Sequence, residues 1–265
     1  MTAAASSVPA PSGDAVARAA FWLPVWTLCR RELIRFWREK TRVLGFVASP
    51  LIFWVVIGSG YGDLGFFFPG ALTLTVMFSA IFSMMSVIDD RKEGFLLSML
   101  VSPAPRGAMV LGKLIGASVL AWGQGLILLA FLPLTGLSAG PIEILQLAGV
   151  LYLVSFSFSA LGFLVAWKME SSQGFHAVIN LLMFPLWMVS GALFGFSSAH
   201  GWMQWLMRVN PLTYSTAAIR RLLVAEVEAG TPSMTVSVAV TVACGILLWG
   251  ASTMAARRRS THSSA

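Results

Sequence analysis

The sequence predicts an all-α integral membrane protein with six transmembrane helices and cytoplasmic N- and C-termini. Three observations carry this. First, 57% of the 265 residues are hydrophobic and only 11% are charged, against about 25% charged in a typical soluble domain. Second, six long apolar stretches lie at about 43–60, 66–88, 109–135, 143–167, 177–197 and 234–255, each near the ~20 residues that cross hydrocarbon as a helix. Third, fifteen of the eighteen Lys and Arg residues fall before the first stretch, between the second and third (with Lys113 at the start of the third), between the fourth and fifth, or after the sixth, and the other three, Arg208, Arg220 and Arg221, between the fifth and sixth. Basic loops stay cytoplasmic, and an even number of spans returns the chain to its starting side.

The elements follow in order. Residues 1–21 are rich in Ala, Ser and Pro, without the basic and apolar regions of a signal peptide, and are expected to be a disordered tail. Residues 22–42 read WLPVWTLCRRELIRFWREKTR. Helical spacing puts Trp26, Cys29, Leu33, Phe36 and Trp37 near one face and Arg31, Arg35, Arg38 and Arg42 mostly elsewhere, as expected of an amphipathic interfacial helix with its arginines toward lipid phosphate. The second and fifth stretches carry no charge. Pro50, Pro69, Pro133 and Pro185 lie in or near spans, where membrane helices tolerate kinks. Between the fifth and sixth stretches, HGWMQWLMRVNPLTYSTAAIRRLLVAE reads as two short amphipathic helices broken at Asn210-Pro211. Arg208, Arg220 and Arg221 make it too costly to span, so a re-entrant external element is expected. Residues 256–265 form a basic cytoplasmic tail.

Several chemistries are poorly supported. Gly107-Ala-Met-Val-Leu-Gly112-Lys113 matches the phosphate-loop pattern, but Leu114 follows where Ser or Thr is needed, and no strand precedes it. The histidines are scattered and the two cysteines have no metal spacing. Cys29 lies in the basic segment and Cys244 mid-span, so a disulfide between them is not expected. The spans' interiors lack ionisable residues, with Lys113, Glu143, Lys168 and His176 read at their ends, which weakens an ion-coupled secondary transporter or channel. No catalytic constellation supports a lipid-modifying enzyme. The positive charge is topological, and no nucleic acid is expected. Ser155, Ser157, Ser159, Gln124 and Asn180 are the main polar groups at depth, read as interhelical hydrogen-bonding residues before substrate contacts.

The segment Asp89-Asp90-Arg91-Lys92-Glu93-Gly94 mixes charge signs, then leads into FLLSMLVSPAPR. A short helix with apolar residues and a charged rim fits docking onto another protein.

These pieces in register resemble the membrane subunit of an ATP-binding-cassette exporter of the type-2 permease class. The carrying motifs are RREL with the following arginines, Phe68-Pro69-Gly70, DDRKEGFLLSMLVSPAPRGAMVLGK, and Asn210-Pro211-Leu212-Thr213-Tyr214. The resemblance covers nearly the whole chain after Trp22, with 22–255 as its transmembrane domain. It implies a connecting helix that includes Arg31, Arg35, Trp37 and Arg38. It implies a coupling helix carrying Asp90, Arg91, Glu93, Gly94, Phe95, Leu96 and Leu97, and a re-entrant motif with Asn210, Pro211 and Tyr214. It also implies a separate ATPase subunit that binds ATP and magnesium, no cofactor on this chain, and a second permease subunit, another copy before a different chain. The location implied is the inner membrane, and the cargo class is drug, lipid or glycan.

Overall fold

The computed structural model describes residues 13–38, 40–102, 104–224 and 227–258. Among the described residues the regular structure is helical throughout. Helix α1 is Gly13–Arg38, α2 Lys40–Tyr61, α3 Leu64–Ser83, α4 Met85–Lys92 and α5 Phe95–Val101. Then come α6 Arg106–Leu129, α7 Pro141–Lys168, α8 Ser172–Trp187, α9 Gly201–Val209, α10 Pro211–Leu223 and α11 Met234–Arg258. The described backbone of α1 thus begins within residues 1–21.

Among the described residues, five helical stretches are long and apolar enough to cross a membrane: Leu64–Lys92, Arg106–Leu129, Pro141–Lys168, Ser172–Ala192 and Met234–Arg257. The expected first span coincides with α2, whose apolar part, Ala48–Tyr61, is shorter. Hydropathy placed the third span to about 135, but α6 ends at Leu129. Pro133 sits in a 3-10 turn, Leu132–Thr135, and Gly136 reverses the chain at φ +74°.

Helix α3 is the axis of the bundle. It is apolar all round and buried from Phe67 to Met77 and from Ser79 to Ser83, the pattern of a helix enclosed by others. Asp63 starts it by accepting the Phe66 N–H at 2.8 Å. Missing side chains let two neighbours close in. A Cβ on Gly125 of α6 would meet Val76 at 2.6 Å, and one on Gly162 of α7 would meet the Ile81 backbone at 2.8 Å. Helix α2 runs back along α3, where the Trp54 indole donates to the Leu64 carbonyl at 2.9 Å.

Helix α11 joins α7 through hydroxyls. Ser157 donates to the Thr241 carbonyl at 3.0 Å and Ser252 to the Ala160 carbonyl at 3.2 Å. Ser159 meets Ser118 of α6 at 3.3 Å. Two of the three serines in the 155–159 run are therefore interhelical, as their depth suggested; Ser155 bonds its own helix at Leu151. The Gln124 amide is buried without a hydrogen-bond partner among the described residues. Cys29 and Cys244 are both free thiols.

Helix α1 packs across α6. Gly112 and Gly116 let it approach until a Cβ on either would meet Val25 O at 2.8 Å or Glu32 Cβ at 2.9 Å. Val25, Leu28, Cys29 and Glu32 form the buried stripe, while Trp22, Trp26 and Trp37 are exposed. The face that helical spacing predicted divides in the structure. Cys29 lies inward, but Trp26 and Trp37 do not, because the glycine seam of α6 selects the stripe centred on Leu28 and Cys29.

Candidate functional site

Two bonded ends and a groove between them organise the molecule. The first end is the elbow between α4 and α5. Gly94, at φ +76°, ends one helix and caps the next, a left-handed turn that glycine adopts without steric cost. The elbow's inner side is ionic. Asp90 is 0% exposed, Lys113 2% and Glu32 5%. The Lys113 ammonium sits 2.5 Å from Asp90 Oδ2 and 2.7 Å from Glu32 Oε1. It also donates to Ser86 at 3.2 Å. Arg31 grips Asp90 with both Nη atoms, at 2.8 and 3.1 Å. Arg35 donates to Asp90 and Asp89, each at 3.2 Å.

The network therefore ties α1, α4 and α6 together. Paired, hydrogen-bonded charges are the tolerable form of buried charge. Burial works against the Arg31 charge, but its bond to Asp90 and the neighbouring carboxylates raise its pKa above the ordinary arginine value. Lys113 was read from sequence as a span end, within a phosphate-loop pattern that lacks the required Ser or Thr. It is instead a buried ion-pair partner, and Gly112 beside it is a helix-contact glycine.

Arg91 points another way. Its Nη1 and Nη2 each donate at 2.7 Å, to the Met169 and Trp167 carbonyls at the end of α7. Asp89 accepts from Ser172, the first residue of α8, at 3.4 Å. The elbow is thus tied to the α7–α8 turn.

Only part of the expected coupling segment faces outward. Leu96 and Met99 are buried, and Phe95 is half-buried beneath the Arg31 guanidinium, 3.8 Å from its ring centroid. Glu93 is exposed, Leu97 is 67% exposed and Val101 85%. Asp90, Arg91 and Leu96 are inward-facing, so the surface on offer includes Lys92, Glu93, Leu97, Ser98 and Val101. The side chains of Arg42 and Leu100, and residue Pro103, lie outside the described residues. Trp37 and Arg38 are exposed on α1.

At the opposite end α8 breaks. Pro185 lies inside it, and the turn Met188–Ala192 is π-type, with Val189 and Gly191 out of helical geometry. Helix α10 collects the disturbed carbonyls. Asn210 donates to Leu186 O at 2.6 Å, while its Oδ1 accepts the Leu212 N–H at 3.0 Å. Arg220 donates to Gly191 O at 2.9 Å and stacks 4.4 Å from the Phe66 ring centroid. Burial pushes the Arg220 pKa down, opposed by Glu228 and Asp63. Pro211 occupies the first turn of α10, where no N–H is required. Tyr214 donates to Arg208 O at 2.7 Å and so holds α10 to the end of α9. The three residues singled out near Asn210-Pro211 thus build one clamp. Arg220 was missed as part of it, having been read only as a cost of spanning.

Between the ends, α2, α3 and α8 enclose an open groove of about 570 Å³. Phe53, Phe78, Phe82 and Phe184 supply its apolar wall, with Ser49, Ser79, His176 and Asn180 as polar points. Ser79 Oγ has no hydrogen-bond partner among the described residues, and no group of metal ligands occurs among them.

Sequence comparison meets this geometry. The chain is 26% identical over 212 residues to "Putative transport permease ycf38" of Cyanophora paradoxa, covering 75% of this chain and 73% of the relative. It is 26% identical over 230 residues to "Daunorubicin resistance ABC transporter permease protein DrrB1" of Streptomyces coeruleorubidus, covering 80% and 79%. It is 26% identical over 224 residues to "Nodulation protein J" of Rhizobium leguminosarum bv. trifolii, covering 76% and 80%. The profile of the ABC-2 type transporter family matches residues 24–224, from the buried stripe of α1 to the end of the α10 clamp, and the chain belongs to that family of membrane permease components.

Proposed function

We propose that this chain is the six-span membrane half of an exporter of the inner membrane, driven by ATP hydrolysed on a separate subunit. The observation that carries the reading is the two-sided elbow. Its outer face presents Glu93, Leu97 and Val101, and its inner face is bonded to α1, α6 and the α7–α8 turn. A partner that grips the outer face pulls on bonded groups rather than on a loose loop. Arg91 and Asp89 then carry the displacement to the start of α8, one wall of the groove.

The groove suits an amphipathic cargo. Aromatic surface supplies most of its contacts, and Ser49, His176 and Asn180 supply the few accessible polar ones that orient a ligand. The similarity to a permease named for daunorubicin resistance supports a drug-like molecule over a glycan. Apolar residues exposed beside it, Ile52 and Val56 on α2 and Leu181 and Leu182 on α8, support a second copy of this chain as the opposite wall.

The test is co-purification in mild detergent from the native membrane, for the wild type and for Glu93→Ala/Leu97→Ala. The expected result is a stoichiometric ATPase with the wild type, lost from the variant without a change in the unfolding midpoint, because both side chains are exposed. A wild-type chain that emerges alone, under conditions that keep other membrane complexes intact, defeats the reading in favour of a secondary transporter.

A further inference from the structure

The basic face of α1 outside the ion network has no role in the proposal above. A cleft of about 510 Å³ opens there, walled by Arg30, Arg31, Ile34, Arg35 and Arg38, with Glu93 across from them. Arg31 and Arg35 form its floor and are bound to Asp90 and Asp89. Arg30 and Arg38 are exposed at its rim. They lie two helical turns apart, about 12 Å along the axis, close enough for two long side chains to meet over one anionic group.

The same helix interleaves apolar surface with this charge. Trp26, Arg30, Ile34, Trp37 and Arg38 follow one exposed stripe at spacings of four, four, three and one, and Trp22 extends it by another turn. The opposite stripe is taken up by Gly112 and Gly116 of α6, so α1 cannot roll to bury these tryptophans within its own chain. A ligand for such a stripe needs an anionic head and apolar tails. Tryptophan rings favour headgroup depth, and arginines near the surface favour anionic lipid.

We infer that the α1 cleft is a binding site for an anionic phospholipid, its phosphate held between Arg30 and Arg38 and its acyl chains lying over Ile34, Trp26 and Trp37. The acidic surface of a soluble partner would satisfy the arginines but would leave the tryptophan stripe without an apolar neighbour. The inference stands whether or not an ATPase drives the chain, because it uses only the membrane in which the chain sits.

The probe is dioleoyl phosphatidylglycerol doped into phosphatidylcholine nanodiscs that hold the full chain. Retained lipid is counted by native mass spectrometry. Wild type should retain phosphatidylglycerol in preference to phosphatidylcholine, and Arg30→Gln/Arg38→Gln should lower that preference about thirtyfold. Arg30→Lys/Arg38→Lys should keep most of it. Independently of any variant, the wild type should unfold at higher temperature in phosphatidylglycerol than in phosphatidylcholine. Unchanged preference in the Gln variant overturns the site, as does an equal unfolding temperature in the two lipids. Stabilisation by inorganic phosphate alone, equal to that by the lipid, overturns the lipid assignment. Loss of a co-purifying ATPase from the Gln variant, with lipid preference intact, assigns the cleft to a protein instead.

Discussion

Lys113 reaches Asp90 across two helices, ammonium to carboxylate at 2.5 Å, with both side chains almost wholly out of solvent. Removing one member leaves the others buried and unbalanced. Asp90→Asn is expected to cost about 3–5 kcal/mol, the penalty for breaking a buried ion pair from one side. Asp90→Asn/Lys113→Met should cost less than the two single changes added together, because the double variant removes one charge of each sign. Thermal unfolding in detergent measures all three, and strict additivity would show that the two groups act separately.

The seam between α1 and α6 has a chemical reporter in Cys29, which is buried in it. Gly112→Leu places a side chain where a bare Cβ already meets Val25 O at 2.8 Å. Overpacking of this kind costs about 1–3 kcal/mol, and the relief available is movement of α1. In a Cys244→Ser background, maleimide should label Cys29 slowly in the parent and at least several times faster in Gly112→Leu. Equal rates would place the strain elsewhere.

Arg91 separates partner binding from transmission. Its side chain faces the Trp167 and Met169 carbonyls, not the outer surface of the elbow. Arg91→Gln should therefore keep a co-purifying ATPase while lowering transport per ATP hydrolysed by roughly tenfold, the loss of about 1.4 kcal/mol of coupling. Loss of the ATPase itself from this variant would mean that Arg91 shapes the docking face.

Asn210 makes two bonds that different substitutions divide. Asn210→Asp keeps the acceptor for the Leu212 N–H and loses the donor to Leu186 O; Asn210→Ala loses both. Alanine should cost about 1–2 kcal/mol more than the wild type bears, as for a lost helix cap. Aspartate should fall between the two if the cap and the clamp both contribute. An aspartate variant as stable as the wild type would leave the Leu186 bond without weight.

Much of this was legible in the residues. Long apolar runs report burial through composition alone, so α3, α7 and α11 fall close to where hydropathy puts them. Asn210-Pro211 is a local signal and marks the junction of α9 and α10 correctly. The ion network was not legible, because its bonds join residues 59 and 81 positions apart. Nothing in a window around Lys113 announces Glu32. The facing of α1 escaped for a related reason. Apolar residues lie on two of its sides, and the choice between them is made by glycines on another helix. The bend at Met188–Ala192 follows Pro185 by a few residues, but which carbonyls it frees is decided by where Asn210 and Arg220 arrive.

The clamped bend makes α8 a lever with its fulcrum at the end held by α10. Asn210 and Arg220 fix that end, while Ser172, at the far end, touches Asp89 of the elbow. The arm from Ser172 to Ser190 is about 27 Å at helical rise. A tilt of about 5° thus shifts its Ser172 tip by about 2 Å and leaves the clamped end nearly still. The groove wall formed by His176 and Asn180 would swing farther than Phe184. A displacement applied at the basic end would accordingly open or narrow the groove as a wedge, widest where the stroke is applied.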